Sequence, residues 1–224
     1  MRPAVVIGDI HGLDSWKWIV DSHPECEMVF LGDYLDPKEQ VPKVELLRNL
    51  EEIVALKRSR PEDVVLLLGN HDLHYFCEEA PLGSRFNADM AEDASRLFRE
   101  NYEVFQFAHQ EGRRLFTHAG VSQEWFDRDF RGDASRPVAE QLNHPADWQG
   151  SALMRVGEAR GGKGGALGGI FWADRSELFD PLRGFDQFVG HNRVPRIIEC
   201  EGGHDNKIVY CDCLREGIYL YLEG

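Results

Sequence analysis

The chain has 224 residues, enough for one sizeable domain whose core needs neither a disulfide nor a structural metal. Its 42% hydrophobic and 29% charged residues are ordinary for a globular protein, while 39 acidic against 25 basic residues, a formal charge of -14, argue against a nucleic-acid backbone as partner. No apolar run approaches the ~18 residues of a membrane span, and five cysteines without framework spacing suit reduced thiols in the cytoplasm.

Residues 4–7 form a short apolar run that ends in Gly-Asp, as a buried strand does. The run is too short for a signal-peptide core, and Asp9 interrupts it, so no leader is expected. Helical spacing of Trp16, Ile19 and Val20 follows over 13–22, then a second apolar run over 28–31 ends in another Gly-Asp. An amphipathic helix is expected over 41–58, with Val44, Leu47, Ile53, Val54 and Leu56 on its apolar face. A third run, 64–68, leads into Gly-Asn-His-Asp. Strands alternating with helices predict an α/β arrangement with parallel pairing.

Further on, 88–102 reads as a helix, and 104–107 and 113–117 read as a strand pair around Glu111-Gly112. Residues 134–160 are expected to be partly helical, with a break at Pro145. The glycine-rich stretch 157–169 lacks the Gly-Lys-Ser/Thr and preceding strand of a phosphate loop, and is expected to be a mobile loop able to cover a cleft. Strands are expected over 187–189, 196–200, 207–211 and 218–222. Cys211 and Cys213, two apart, would face one side of a strand and pack in the core. Trp148, Phe171 and Trp172 are expected in the core or a cleft wall. With no internal repeat or linker, residues 1–224 read as one domain.

The three front strands end alike, in GDIHG (8–12), GDYLD (32–36) and GNHD (69–72). In open α/β sheets the crevice beyond the carboxyl ends of the strands is where ligands bind. Asp9, His11, Asp33, Asn70 and His71 are therefore expected on one edge. One Gly-Asp after a strand is an ordinary turn; three in succession with His and Asn interleaved exceed what turn chemistry requires. His118, in Thr-His-Ala-Gly, and His191, in Gly-His-Asn-Arg, also follow apolar runs. A lone histidine is usually structural, but these two end expected strands.

The ordered set GDxH, GDxxD, GNH, HAG and GH resembles the calcineurin-like metallophosphoesterase superfamily, and it spans residues 8–192. The resemblance implies a four-layer β-sandwich of two mixed sheets flanked by helices. It implies two divalent or trivalent metal ions, manganese first, with iron, zinc and magnesium as alternatives. Asp9 and His11 would bind the first, Asp33 would bridge, and Asn70, His118 and His191 would complete the second. It further implies His71 as a general acid oriented by Asp36, and a phosphorylated substrate.

The match departs from the serine/threonine protein phosphatase branch at two arginines: Asp36 is followed by Pro37-Lys38, and Leu68 precedes Gly69. Arg193, Arg175 and Lys38 are the candidate phosphate-binding replacements, each as readily a surface or ion-pair residue. GNHDLH and THAGVSQEW resemble the symmetrical diadenosine tetraphosphate hydrolases more closely. That would bring His74 near the site, although an exposed helix face is the expectation for it. The leading function is therefore a metal-dependent hydrolase of phosphomonoesters, on a phosphoprotein or a small molecule. The alternative is a dinucleoside polyphosphate hydrolase, and a non-catalytic metal-binding scaffold stands behind both. A metal-free nucleotide-binding module is disfavoured because no GxGxxG follows the first strand.

Overall fold

The computed structural model describes residues 2–224; Met1, where the expected domain begins, lies outside the described residues. The first three strands, β1 (Ala4–Ile7), β2 (Glu27–Phe30) and β3 (Val64–Leu67), run parallel in one sheet. Helices α1 (Trp16–Ser22) and α2 (Lys43–Ser59) cross between them. A short β4 (Phe105–Gln106) joins β3 in parallel, and β10 (Leu220–Leu222) closes the other side antiparallel to β1. The second sheet has the order β5-β6-β7-β9-β8, from β5 (Ala108–Glu111), β6 (Arg114–Thr117), β7 (Asp186–Val189), β8 (Ile198–Glu201) and β9 (Lys207–Tyr210). Each sheet thus has five strands and mixed pairing, and helices flank the pair, as the resemblance implies.

The period-2 alternation of strands divides the core. Val5, Ile7, Met28, Phe30, Val64 and Leu66 face α1, α2 and α4 (Ala91–Glu100) on the outer side of the first sheet. Their sequence neighbours Val6, Val29, Leu31, Val65 and Leu67 meet Phe116, Phe188, Val209 and Cys211 between the sheets. On α2 the buried face is Leu46, Asn49, Leu50, Ile53 and Val54, while Val44, expected there, is 70% exposed. Asn49 earns its place by accepting the Trp16 indole N–H at 2.9 Å.

Two pairings differ from expectation. Residues 105–106 pair with β3, and the hairpin partner of β6 is β5. The chain changes sheets at Phe107, where the Asn143 side chain accepts the N–H groups of Phe107 and Ala108 at 2.7 and 3.0 Å. Cys211 and Cys213 separate as well. The strand ends at Tyr210, so Cys211 continues into the inter-sheet core while Cys213 turns to the outer cluster of Ile208 and Tyr210. Helices α5 (Val138–Asn143) and α6 (Asp147–Leu153) flank the expected break at Pro145. Among the described residues no helix is long and apolar enough to cross a membrane.

Gly8, at the end of β1, packs against the backbone that follows β9 in the other sheet: a Cβ there would stand 2.2 Å from the carbonyl oxygen of Cys211. Backbone cannot yield as a side-chain tip can. Gly8→Ala should therefore lower the urea-unfolding free energy by roughly 1–3 kcal/mol, the range for overpacking a filled core; an unchanged denaturation midpoint would contradict this contact.

Candidate metal centre

Six parallel strands deliver polar residues to one edge. β1 is followed by Asp9 and His11, β2 by Asp33 and Asp36, and β3 by Asn70 and His71; β6, β7 and β9 are followed by His118, His191 and Asp212. The loops keep pairing past the strands: the His11 and Gly12 N–H groups donate to the Asp33 and Tyr34 carbonyls at 2.7 and 2.9 Å. The sheets are tied across the same edge. The His191 N–H donates to Asp9 Oδ1 at 2.9 Å, and His118 Nδ1–H donates to the Leu31 carbonyl at 2.7 Å. The resulting cleft, about 240 Å³, includes Asp9, His11, Asp33, Asn70, His71 and His191 in its lining.

Strain is concentrated here. Of the seven non-glycine residues with left-handed φ among the described residues, five stand in or under the cleft: His11, Asp33, Asp36, Arg85 and His191. Such conformations cost about 1–3 kcal/mol each and persist only where surroundings enforce them. Gly69 shows how tight the packing is, since a Cβ would fall 2.1 Å from Asp33 Oδ1 and 2.7 Å from the His118 ring.

The donor set tests whether cations fit. His118 spends its Nδ1–H on Leu31, so its Nε2 carries a lone pair, and burial lowers the pKa of this imidazole. That lone pair meets Asn70 Oδ1 at 3.1 Å and Asp33 Oδ1 at 3.5 Å. His191 Nδ1 approaches the same Asn70 oxygen at 2.9 Å, and its buried Nε2 has no partner. His11 repeats the pattern. Its Nδ1–H donates to the Leu35 carbonyl at 2.6 Å, leaving Nε2 facing Asp9 Oδ2 and Asp33 Oδ2 at 3.9 and 3.8 Å. Acceptors crowded this way repel one another unless a cation lies among them. Both triads, Asp9-His11-Asp33 and Asp33-His118-His191, hold their ligand atoms within 4.8 Å of one another. The residues fit metal ions.

Electrostatics agree with that fit. Burial pushes the Asp9 carboxyl up, helped by Asp212 and Asp33. Burial also raises Asp33, but four imidazoles led by His118 outweigh it and hold Asp33 well below the usual carboxylate range. Burial lowers His11 to about 4, so its ring is neutral at pH 7 and its Nε2 is free to bind a cation.

Below the cleft, Asp36 is the hub of a second network. Its Oδ2 accepts from His71 Nδ1 at 2.8 Å and lies 2.8 Å from His74 Nε2; its Oδ1 accepts the Tyr75 hydroxyl. Burial raises the Asp36 carboxyl, but the bonds from His71, His74 and Tyr75 outweigh burial and lower its pKa. The expectation of an exposed His74 is overturned: it is buried under His71. The reason is that α3 (Asn70–Leu73) is a single turn, after which the chain folds back and aims His74 at Asp36.

A family model described as calcineurin-like phosphoesterase matches residues 2–163. The chain belongs to the calcineurin-like phosphoesterase family. It is a metal-dependent phosphoesterase, as members of that family use divalent metals. No curated protein sequence matches the chain. Solved structures that share the fold include a cold-active protein-tyrosine phosphatase of a psychrophilic Shewanella species, 18% identical, TM-score 0.60, covering 100% of this chain and 76% of that one. A serine/threonine phosphatase from Saccharomyces cerevisiae is 16% identical, TM-score 0.54, covering 94% of this chain and 67% of that one.

The candidate phosphate-binding residues of this phosphoesterase part company. Lys38 and Arg193 line the cleft. Arg175 does not: its guanidinium lies 5.2 Å from the Tyr210 ring centroid, because Asp174 caps the 3₁₀ turn that carries it away from the cleft. Trp172 walls the cleft in edge contact with His191, and Phe171 is core, but Trp148 is 56% exposed. The glycine-rich stretch folds back, with Glu177 accepting the Gly168 N–H at 2.9 Å, and brings Arg160 to the cleft. Sequence reasoning passed over Arg85, Arg160, Asp72 and Asp212. Asp212 carried a usable signal, since it follows an expected strand as Asp9 and Asp33 do; burial, with Asp33 beside it, raises it to about 6.

Asp36 gives a pH signature. A carboxyl with a lowered folded pKa contributes stability above its ordinary value of 3.8 that is lost as pH falls through the lower folded value. Metal-free Asp36→Asn should be less stable than the parent at pH 7 by roughly 1–3 kcal/mol, and urea midpoints should converge as the pH falls below 3.8.

Proposed function

We propose that this phosphoesterase hydrolyses phosphomonoesters, on a phosphoprotein or a small molecule, at a two-metal centre. The observation that carries the reading is the crowding of the His118, Asn70 and Asp33 acceptors within 3.5 Å beside a histidine whose orientation is fixed by Asp36. Asp9, His11 and Asp33 would hold one ion; Asp33, Asn70, His118 and His191 would hold the other. Manganese is our first candidate, with iron, zinc or magnesium compatible with mixed oxygen and nitrogen donors. Bound ions of this kind polarise phosphoryl oxygens and lower the pKa of a water.

The chain's own residues supply the rest. His71 gives Nδ1–H to Asp36, which fixes its ring and leaves Nε2 facing the cleft. A proton carried at Nε2 passes to the leaving-group oxygen, and Asp36 stabilises the charged imidazole before that transfer. Tyr75 and His74 hold Asp36 in turn, so the acid rests on a buried frame. Lys38 adds positive charge for the phosphoryl oxygens, Arg193 lines the cleft beside it as a donor already paired with Glu216, and Trp172 excludes water on the His191 side.

A cleft of about 240 Å³ falls short of the ~300–1,000 Å³ of pockets that enclose drug-sized ligands. It suits a phosphoryl group with its first substituent, and the dinucleoside polyphosphate alternative gains no support. Five free cysteines suit the cytoplasm as compartment, and an inter-sheet core shared by both sheets supports one domain.

Elemental analysis and a substrate panel on one sample test the reading. An aryl phosphate or phosphopeptide should turn over and diadenosine tetraphosphate should not. His71→Asn should retain the parent's metal while kcat falls roughly 10²–10⁴-fold, the usual weight of a positioned acid. A parent that holds metal yet hydrolyses no phosphoester would sink the proposal.

A further inference from the structure

The cations around the cleft are not equivalent. Arg193 gives Nη2 to Glu216 at 2.8 Å, Arg160 gives Nε to Asp174 at 2.8 Å, and Arg215 pairs with Glu39. Among the described residues, Arg85 and Lys38 are the cleft cations without a carboxylate partner. Lys38 is a point charge on a flexible stem, whereas Arg85 presents a planar fork of donors.

Arg85 is also held in place. The Gly83 N–H donates to His74 Nδ1 at 3.1 Å, which leaves His74 Nε2–H to meet Asp36 Oδ2 at 2.8 Å. The Asn87 N–H donates to the Tyr75 oxygen at 3.2 Å, and the Tyr75 hydroxyl donates to Asp36 Oδ1. Arg85 itself donates from Nη1 to the Asp36 carbonyl oxygen. Segment 83–87 is thereby bound to Asp36 three times, twice through a side chain and once directly. This anchoring enforces the left-handed φ of +75° at Arg85, a conformation costly for any residue with a Cβ.

The free end of the fork faces the chemistry. Nη2 lies 3.1 Å from His71 Nε2 and 3.5 Å from His11 Nε2. Both rings spend their Nδ1–H elsewhere, on Asp36 and on the Leu35 carbonyl, so both nitrogens are lone-pair acceptors. Neither contact is a carboxylate, so the Nη2 end of this donor-only group stands in the cleft lining without an anionic partner. The function proposed above, on which this inference rests, brings a phosphoryl group to this cleft.

We propose that Arg85 clamps the phosphoryl group under transfer, Nη2 gripping its oxygens while Nη1 stays on Asp36. Arg85 thus supplies from the segment after the third motif the arginine that the motifs themselves lack at Pro37 and Leu68. The same residue Asp36 then positions both the acid and the clamp, and fixes the distance between the leaving group and the phosphoryl oxygens.

Calorimetric titration of inorganic phosphate into metal-loaded protein tests the clamp. Arg85→Met keeps most of the aliphatic stem and should weaken phosphate binding roughly 10–100-fold, the weight of charge-assisted hydrogen bonds. KM for an aryl phosphate should rise in step, with metal content unchanged. Arg85→Lys should recover only part of the affinity, because an ammonium cannot both hold Asp36 and reach the anion. Should Arg85→Met lower the thermal midpoint, the lysine variant carries the comparison. Phosphate binding within twofold of the parent in the methionine variant at equal metal content, or full recovery in the lysine variant, overturns the clamp. A parent that retains no metal overturns the function proposed above and the clamp with it.

Discussion

The centre depends on a reciprocal clasp between the β2 turn and α3. Asp72, fully buried, accepts the N–H groups of Asp33 and Gly69 on Oδ2 and that of Tyr34 on Oδ1, each at 2.8 Å. Asp33 answers by accepting the His71 N–H at 2.9 Å. Two carboxylates thus satisfy four backbone donors that the ends of β2 and β3 would otherwise leave unpaired. Burial, with the Asp33 charge beside it, pushes the Asp72 carboxyl up, so each bond contributes about 0.5–1.5 kcal/mol, and together they offset the left-handed strain at Asp33. A proposed metal ligand and a proposed acid are therefore set relative to one another by two buried carboxyl groups that hold the backbone of both turns. Only glycine fits at position 69 because Asp33 and His118 already fill the space where its Cβ would be.

Asp36 extends this order outward. One carboxylate collects His71, His74 and Tyr75, and its backbone carbonyl collects Arg85. The Gly83 N–H donates to His74 Nδ1 and the Asn87 N–H to the Tyr75 oxygen, which ties a segment of irregular backbone to the sheet edge, while His74 Nε2 stands 2.8 Å from Asp36 Oδ2 without hydrogen-bond geometry. The left-handed residues follow the same pattern, since His11, Asp33, Asp36, Arg85 and His191 all stand where two turns must meet. Strain in this fold is located where positioning is required.

What could be read from sequence divides along a physical line. The strand ends were legible because parallel pairing sends the polar residue that follows each apolar run to one edge; Asp9, Asp33, Asn70, His118 and His191 follow from order alone. Local signals failed where a tertiary partner decides. His74 follows a one-turn helix whose brevity no periodicity announces, and it is buried only because Asp36 waits beneath it. Arg175 was read as a cleft residue from its neighbours in sequence, yet stacking on Tyr210 holds it outside. Arg85 lies in a segment without regular pattern, and its place depends on contacts to three residues of other turns. The strand expected over 104–107 was a correct element given the wrong partner, because a change of sheet at Phe107 leaves no mark in an alternating pattern.

Charge is divided in the same purposeful way. The chain carries a net -14, yet five cations, Lys38, Arg85, Arg160, Arg193 and Arg215, line one cleft. Three of them are neutralised locally by Asp174, Glu216 and Glu39. Those pairs are partly exposed, and exposed pairs hold little stability; their effect is to leave Arg85 and Lys38, among the described residues, as the uncompensated cations of the cleft. An acidic surface repels extended polyanions at distances up to a Debye length of about 8 Å, whereas a compact phosphate that enters the cleft passes beyond that repulsion. Under the proposed clamp, the long-range field would select against nucleic acid and polyphosphate chains, and the short-range fork would select for a tetrahedral dianion. Specificity for a small phosphorylated group can arise from this division of charge with few contacts to the remainder of the substrate.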